Sequence, residues 1–211
     1  MDVSMDCFAL SSFPAKVPRL QFKTSDVGPA IHEVPLQWFK DHFLPPLPPE
    51  FELRDAIAAL KENKTIKDDI WDAFSEPPSA RGAHEDKVLA PFATIVKVVD
   101  EEAGKHSSGE PAVVFECNPN RIPVSAFRKS TSKPDGYGVY LRHDNYTADG
   151  PIFWEFIVAP GEKKRARLED INDNISKILW SFNHTMREDP CRRFVIGYTI
   201  EDTVMRLWFC S

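Results

Sequence analysis

The chain has 211 residues, enough for one substantial domain or for a domain with an extended arm. Its 42% hydrophobic and 11% aromatic content, with fifteen Phe and five Trp, supports a real core and excludes disorder throughout. The net charge of −6 excludes a protein that coats nucleic acid through a broad basic face, while leaving room for a local basic patch.

In chain order, residues 1–30 read as an extended arm, with scattered Pro and Ser and no sustained period. Residues 31–82 read as short helices with Pro-rich connectors. "VPLQWFKDHFLPPLPPEF" puts Leu36, Phe39 and Phe43 on one helical face and then stops the helix with a proline block. That block is a stiff connector or, in a second reading, a ligand for a Pro-reading domain. "ELRDAIAALKEN" follows as an amphipathic helix, and "IKDDIWDAFSEPP" as another, closed by its double proline.

Residues 83–211 read as an α/β domain. "AHEDKVLAPFATIVKVVDEEA" places Val88, Phe92, Ile95, Val96 and Val99 on one stripe, kinked at Pro91. The grammar then changes to strands, "AVVFECN", "DGYGVYLR" and "FWEFIVAP", separated by loops rich in Pro, Asp and Gly. Leu168, Ile171, Ile175, Ile178, Leu179, Phe182 and Met186 step by threes and fours toward Asp189-Pro190, the best helix in the chain. "RRFVIGYTIEDTVMRLWFC" reads as two strands around a Glu-Asp turn.

The expected fold is therefore α+β or α/β. A central mixed sheet of about four to five strands is flanked by helices and preceded by a helical, proline-rich part.

Cys7, Cys117, Cys191 and Cys210 lack CxxC spacing, so neither a zinc site nor a redox pair is indicated, and reduced thiols are expected. No secretory leader or apolar span is legible, so the expected location is intracellular, cytoplasmic or nuclear, with no membrane partner.

One pattern carries chemistry. An acid opening the second strand, Asp135, and Glu162-x-Lys164 closing the third follow the order of the PD-(D/E)xK nuclease superfamily, a restriction-endonuclease-like arrangement. Glu85, early in the preceding helix, stands where some members of that superfamily carry a further acid. Asp135, Glu162 and Glu85 are the candidate metal ligands, because hard carboxylate oxygens suit Mg²⁺. Lys164 is the candidate catalytic residue, able to orient a water or to stabilise charge on phosphorus. Glu162 and Lys164, two residues apart, share a face only if the strand continues past Pro160-Gly161. Lys163, Arg165 and Arg167 are candidate phosphate contacts, so nucleic acid enters as a partner on this reading. The alternative for the whole pattern is a rim of ordinary salt bridges around a solvated loop.

"DINDNISKILWSFNHTMREDPCRRFVIGYTIEDTVMRLWFCS" resembles the segment just before the catalytic lobes in the fungal-type protein kinase family of mushroom-forming fungi. "KPDGY" and "WEFIVAPGEKK" also resemble that family's Pro-Asp strand and its Trp-led strand ending in Glu-x-Lys. The chain departs from the family pattern in its middle residue, Lys163, where an apolar residue is usual, and in Gly161 just before it. No G-x-G-x-x-G loop, V-A-I-K lysine, H-R-D or D-F-G is present in the 211 residues, so no kinase catalytic residue has a matching position. The resemblance implies an accessory or regulatory domain of a kinase-like protein, with kinase lobes or another protein as partner. The alternative is a Mg²⁺-dependent nuclease working through the PD-(D/E)xK-like site.

Overall fold

The computed structural model describes residues 7–10, 31–46, 50–105, 112–117, 121–126, 132–141, 147, 150–165 and 171–211. Strands β1 (Cys7–Leu10) and β2 (His32–Val34) come first, then helices α1 (Leu36–Phe43) and α2 (Glu50–Glu62). A two-residue ribbon, β3 (Ile66–Lys67) and β4 (Ile70–Trp71), leads into 3₁₀ turns at Asp72–Phe74 and Pro78–Ala80. Helices α3 (Glu85–Leu89) and α4 (Pro91–Lys105) precede β5 (Val113–Glu116), β6 (Gly136–Tyr140) and β7 (Ile157–Lys164). The chain then runs through α5 (Ile171–Glu188), β8 (Val195–Glu201) and β9 (Val204–Cys210).

Among the described residues one mixed sheet of seven strands has the order β2-β1-β9-β8-β7-β6-β5. Five of those strands belong to the region after residue 110, in line with the mixed sheet expected there. The other two add to it: Cys7–Leu10, inside the stretch read as an arm, pairs antiparallel with β9 and parallel with β2. Strands β5, β6 and β7 form an antiparallel meander, whereas β7 and β8 are parallel. Parallel neighbours require a crossover, and α5 supplies it.

Helix α5 forms because its apolar residues recur at helical spacing, and it stays on the sheet because that stripe is buried. Ile175, Ile178, Leu179 and Phe182 pack with Val195, Trp208 and Cys210 in one core cluster. A second cluster at the other end gathers Tyr137, Val139, Ile152, Trp154 and Ile157. The His184 ring stacks on Trp154 at 5.0 Å, tying α5 to this second cluster. Trp154 and Trp208 are core residues, whereas Trp180 faces solvent. Cys117 and Cys191 are free thiols. No helix among the described residues is long and apolar enough to cross a membrane.

One local expectation is corrected and one open condition is met. Ile66–Phe74 is a tight ribbon and a 3₁₀ turn, not an α-helix. Asp68 and Asp69 both take positive φ, 49° and 61°, which a two-residue primed turn needs and a helix forbids. The second concerns Pro160-Gly161, which does not end β7. From Gly161 to Lys164 the strand continues because β8 pairs with it in parallel, Gly161 opposite Tyr198 and Lys164 opposite Glu201.

Candidate functional site

The continuation of β7 restores the two-residue rule, so Glu162 and Lys164 project from the same face, the one covered by α5. Gly136, the first residue of β6, lies opposite Gly161, which brings Asp135 to the same end of the sheet. The backbone N–H of Lys163 donates to Asp135 Oδ2 at 2.8 Å. Glu85, at the start of α3, accepts from the backbone N–H of Arg165 at 3.0 Å. Its other oxygen is 3.8 Å from Lys164 Nζ. Asp135, Glu162, Lys164 and Glu85, up to eighty residues apart in sequence, thus meet at one end of β7.

How they meet decides what they can do. Glu162 is only 2% exposed, and the Ser181 hydroxyl donates to its Oε1 at 3.2 Å. Burial, helped by the nearby charge of Asp135, pushes its carboxyl up to about 8, so near neutral pH it mostly keeps its proton. Asp135 is also raised by burial, against the hydrogen bond from Lys163 that favours its charged form. Lys164 Nζ lies 3.1 Å from Asp173 Oδ2, and Asp173 also binds Lys177 at 3.2 Å. Burial alone would lower Lys164; Asp173 and Glu85 outweigh it and hold the ammonium above its ordinary value.

Sequence reasoning missed this second set of partners. Asp173, Lys177 and Ser181 recur every fourth residue on α5, one helical face above β7. The Asp173–Lys177 spacing was visible, but on an isolated helix it reads as a surface pair. Beside them Asn174 Nδ2 donates to Glu201 Oε1 at 2.7 Å, and Glu201 also pairs with Arg206. Asn174 and Glu201 are fully buried, so the α5–sheet interface carries a polar seam as well as an apolar core.

The three candidate phosphate contacts part company. Lys163 projects from the opposite face, where its ammonium lies 5.2 Å from the centroid of the Phe92 ring. It is 6% exposed, so it belongs to the sheet–α4 interface and not to a solvated rim. Arg165 turns back on the chain and donates to the carbonyls of Ala83 and Arg81, at 2.8 and 3.2 Å. Arg167 falls outside the described residues.

Mg²⁺ takes six oxygens at close range and usually keeps several waters. Among the described residues no group of three or more His, Cys, Asp or Glu side chains is arranged to hold a metal ion. Glu162 is sealed beneath α5, and one Asp135 oxygen is taken by the chain. As arranged, these residues do not fit the ion.

Residues 133–211 match the model of a family described as fungal protein kinase. Neither the curated proteins nor the solved structures yield a match.

Proposed function

We propose that this chain, whose residues 133–211 match the fungal protein kinase family model, is an accessory domain, positioning or regulating a kinase catalytic half rather than reacting itself. The observation that carries this reading is that α5 covers Glu162 and engages Lys164. A phosphodiesterase needs its lysine and its acids open to a phosphate and a metal. Here Ser181 holds Glu162, and Asp173 and Glu85 hold Lys164. The same groups that would cut a backbone instead bolt a helix to a sheet.

The second reading, a Mg²⁺-dependent nuclease, has one observation in its favour. Helix, three antiparallel strands, crossover helix and parallel strand follow the order that motif carries, with Asp135 preceding Gly136, which lies opposite Gly161 in the sheet.

Two measurements separate the readings. Purified protein is mixed with recombinant kinase lobes of a member of the same family, and complex formation is followed by calorimetry and by the lobes' phosphorylation rate. The accessory reading expects a saturable complex and a changed rate; absence of both overturns it. In parallel, labelled DNA and RNA are incubated with the protein and Mg²⁺ or Mn²⁺. Cleavage that disappears in Asp135→Ala and Lys164→Ala would establish the nuclease instead.

A further inference from the structure

On the face of the sheet opposite α5, a cavity of about 400 Å³ lies between the strands, α4 and the β3–β4 ribbon. Its size falls within the range of small-molecule sites. The walls are mostly apolar: Trp71, Phe74, Phe92, Ile95 and Ile200 line it, and the exposed side chain of Met205 stands at its mouth.

The polar groups in the lining are unevenly matched. Asp69 is engaged by Lys61 Nζ at 2.6 Å, and the Asp202 carboxylate accepts the backbone N–H of Ser79 at 2.9 Å. Lys163 is different. Among the described residues its ammonium is placed against the Phe92 ring and the Cys117 thiol, and it enters no ion pair with a carboxylate. Its neighbours are the face of Phe92, the Cys117 thiol and the more distant charge of Asp135. A buried ammonium is costly unless it is paired, and a ring face and a thiol are weak substitutes for an anion.

We propose that this cavity is a binding site for a small apolar monoanion, its carboxylate on Lys163 and its hydrocarbon body against Phe92, Ile95 and Trp71. The chemistry selects the class. A dianion would meet only one cation and would be repelled by Asp69 and Asp202 at the lining. A neutral apolar molecule would fill the space and leave Lys163 as it is. A monocarboxylate satisfies both the walls and the ammonium, through a charge-assisted hydrogen bond. The site does not depend on the accessory reading, since it lies on the other side of the sheet from Glu162 and Lys164.

The test uses the whole chain and a matched pair of probes, decanoate and decanol, followed by displacement of a fluorescent naphthalene sulfonate and by calorimetry. Saturable binding is expected, with decanoate favoured over decanol by at least about tenfold, as one charge-assisted hydrogen bond implies. Lys163→Met keeps the length and removes the charge, so it should bind the two probes alike. Ile95→Trp fills the cavity and should bind neither. Equal binding of the two probes by wild type, or an undiminished decanoate preference in Lys163→Met, overturns the proposal. Should Lys163→Met fail to fold, judged by circular dichroism, the decanoate-to-decanol ratio on wild type decides alone.

Discussion

Replacing Glu162 by glutamine tests the physical core of the site. In the folded chain the Glu162 carboxyl is raised from 4.5 to about 8, chiefly by burial under α5 and then by the charge of Asp135. Between those values the unfolded chain has released this proton and the native chain still holds it. The unfolded state therefore binds fewer protons, and native stability falls as pH rises through the window, levelling off above about 8. At ~1.36 kcal/mol per pH unit, the displacement amounts to roughly 4 to 5 kcal/mol, an upper figure because water entering the interface would screen the charge.

Asp135, also raised by burial, acts with the same sign just above its ordinary value. Lys164 is raised as well, so its contribution is intact below its ordinary 10.5 and fades only above it, outside this window. Glutamine keeps an acceptor for Ser181 and has nothing to ionise. Urea unfolding at about pH 5 should therefore find Glu162→Gln within about 1 kcal/mol of wild type. At about pH 9 the variant should be the more stable by several kcal/mol. A wild-type stability that does not fall between the two conditions, or an equal fall in the variant, would refute the argument.

Other perturbations report on other parts of the chain. Trp208→Ala removes a fully buried ring whose Nε1 donates to Thr199 Oγ1 at 3.1 Å, and should cost about 3 to 5 kcal/mol in urea unfolding. In Gly197→Ala the new Cβ would lie 2.6 Å from Phe182 Cε1 and 2.7 Å from the Pro160 carbonyl. Neither can yield freely, so a loss of about 1 to 3 kcal/mol is expected from the same assay. Asp202 has φ 55° and accepts from Ser79. Asp202→Ala should therefore lower the thermal midpoint by several degrees, while Asp202→Asn, at home in that conformation, should change it little. Millimolar Mg²⁺ should leave the thermal midpoint within about one degree of the metal-free value; a larger rise would mean that the acids do gather an ion.

The elements that were legible in advance are those whose burial is periodic. The α5 stripe and the β8–β9 hairpin advertise a buried face, at three- to four-residue and at two-residue steps, while β6 shows as a short apolar run buried on both faces. Ile66–Phe74 misled because its apolar residues also fit a helical face; the turn depends on the backbone of two aspartates. The Lys163 environment was equally hidden, because the ring beneath it comes from α4, seventy residues earlier.

The same division runs through the candidate site. By themselves the residues determined that Asp135 opens one strand and that an apolar run leads to Pro160, since local period and turn chemistry require no distant partner. Only the tertiary structure decided that β7 continues through Gly161, because β8 must pair with it, and that Asp173 and Ser181 close over the acids. Whether a carboxylate faces solvent or the interior depends on what the fold lays across it. Residues distant in sequence supply that cover, and its desolvation sets the charge that the group can carry.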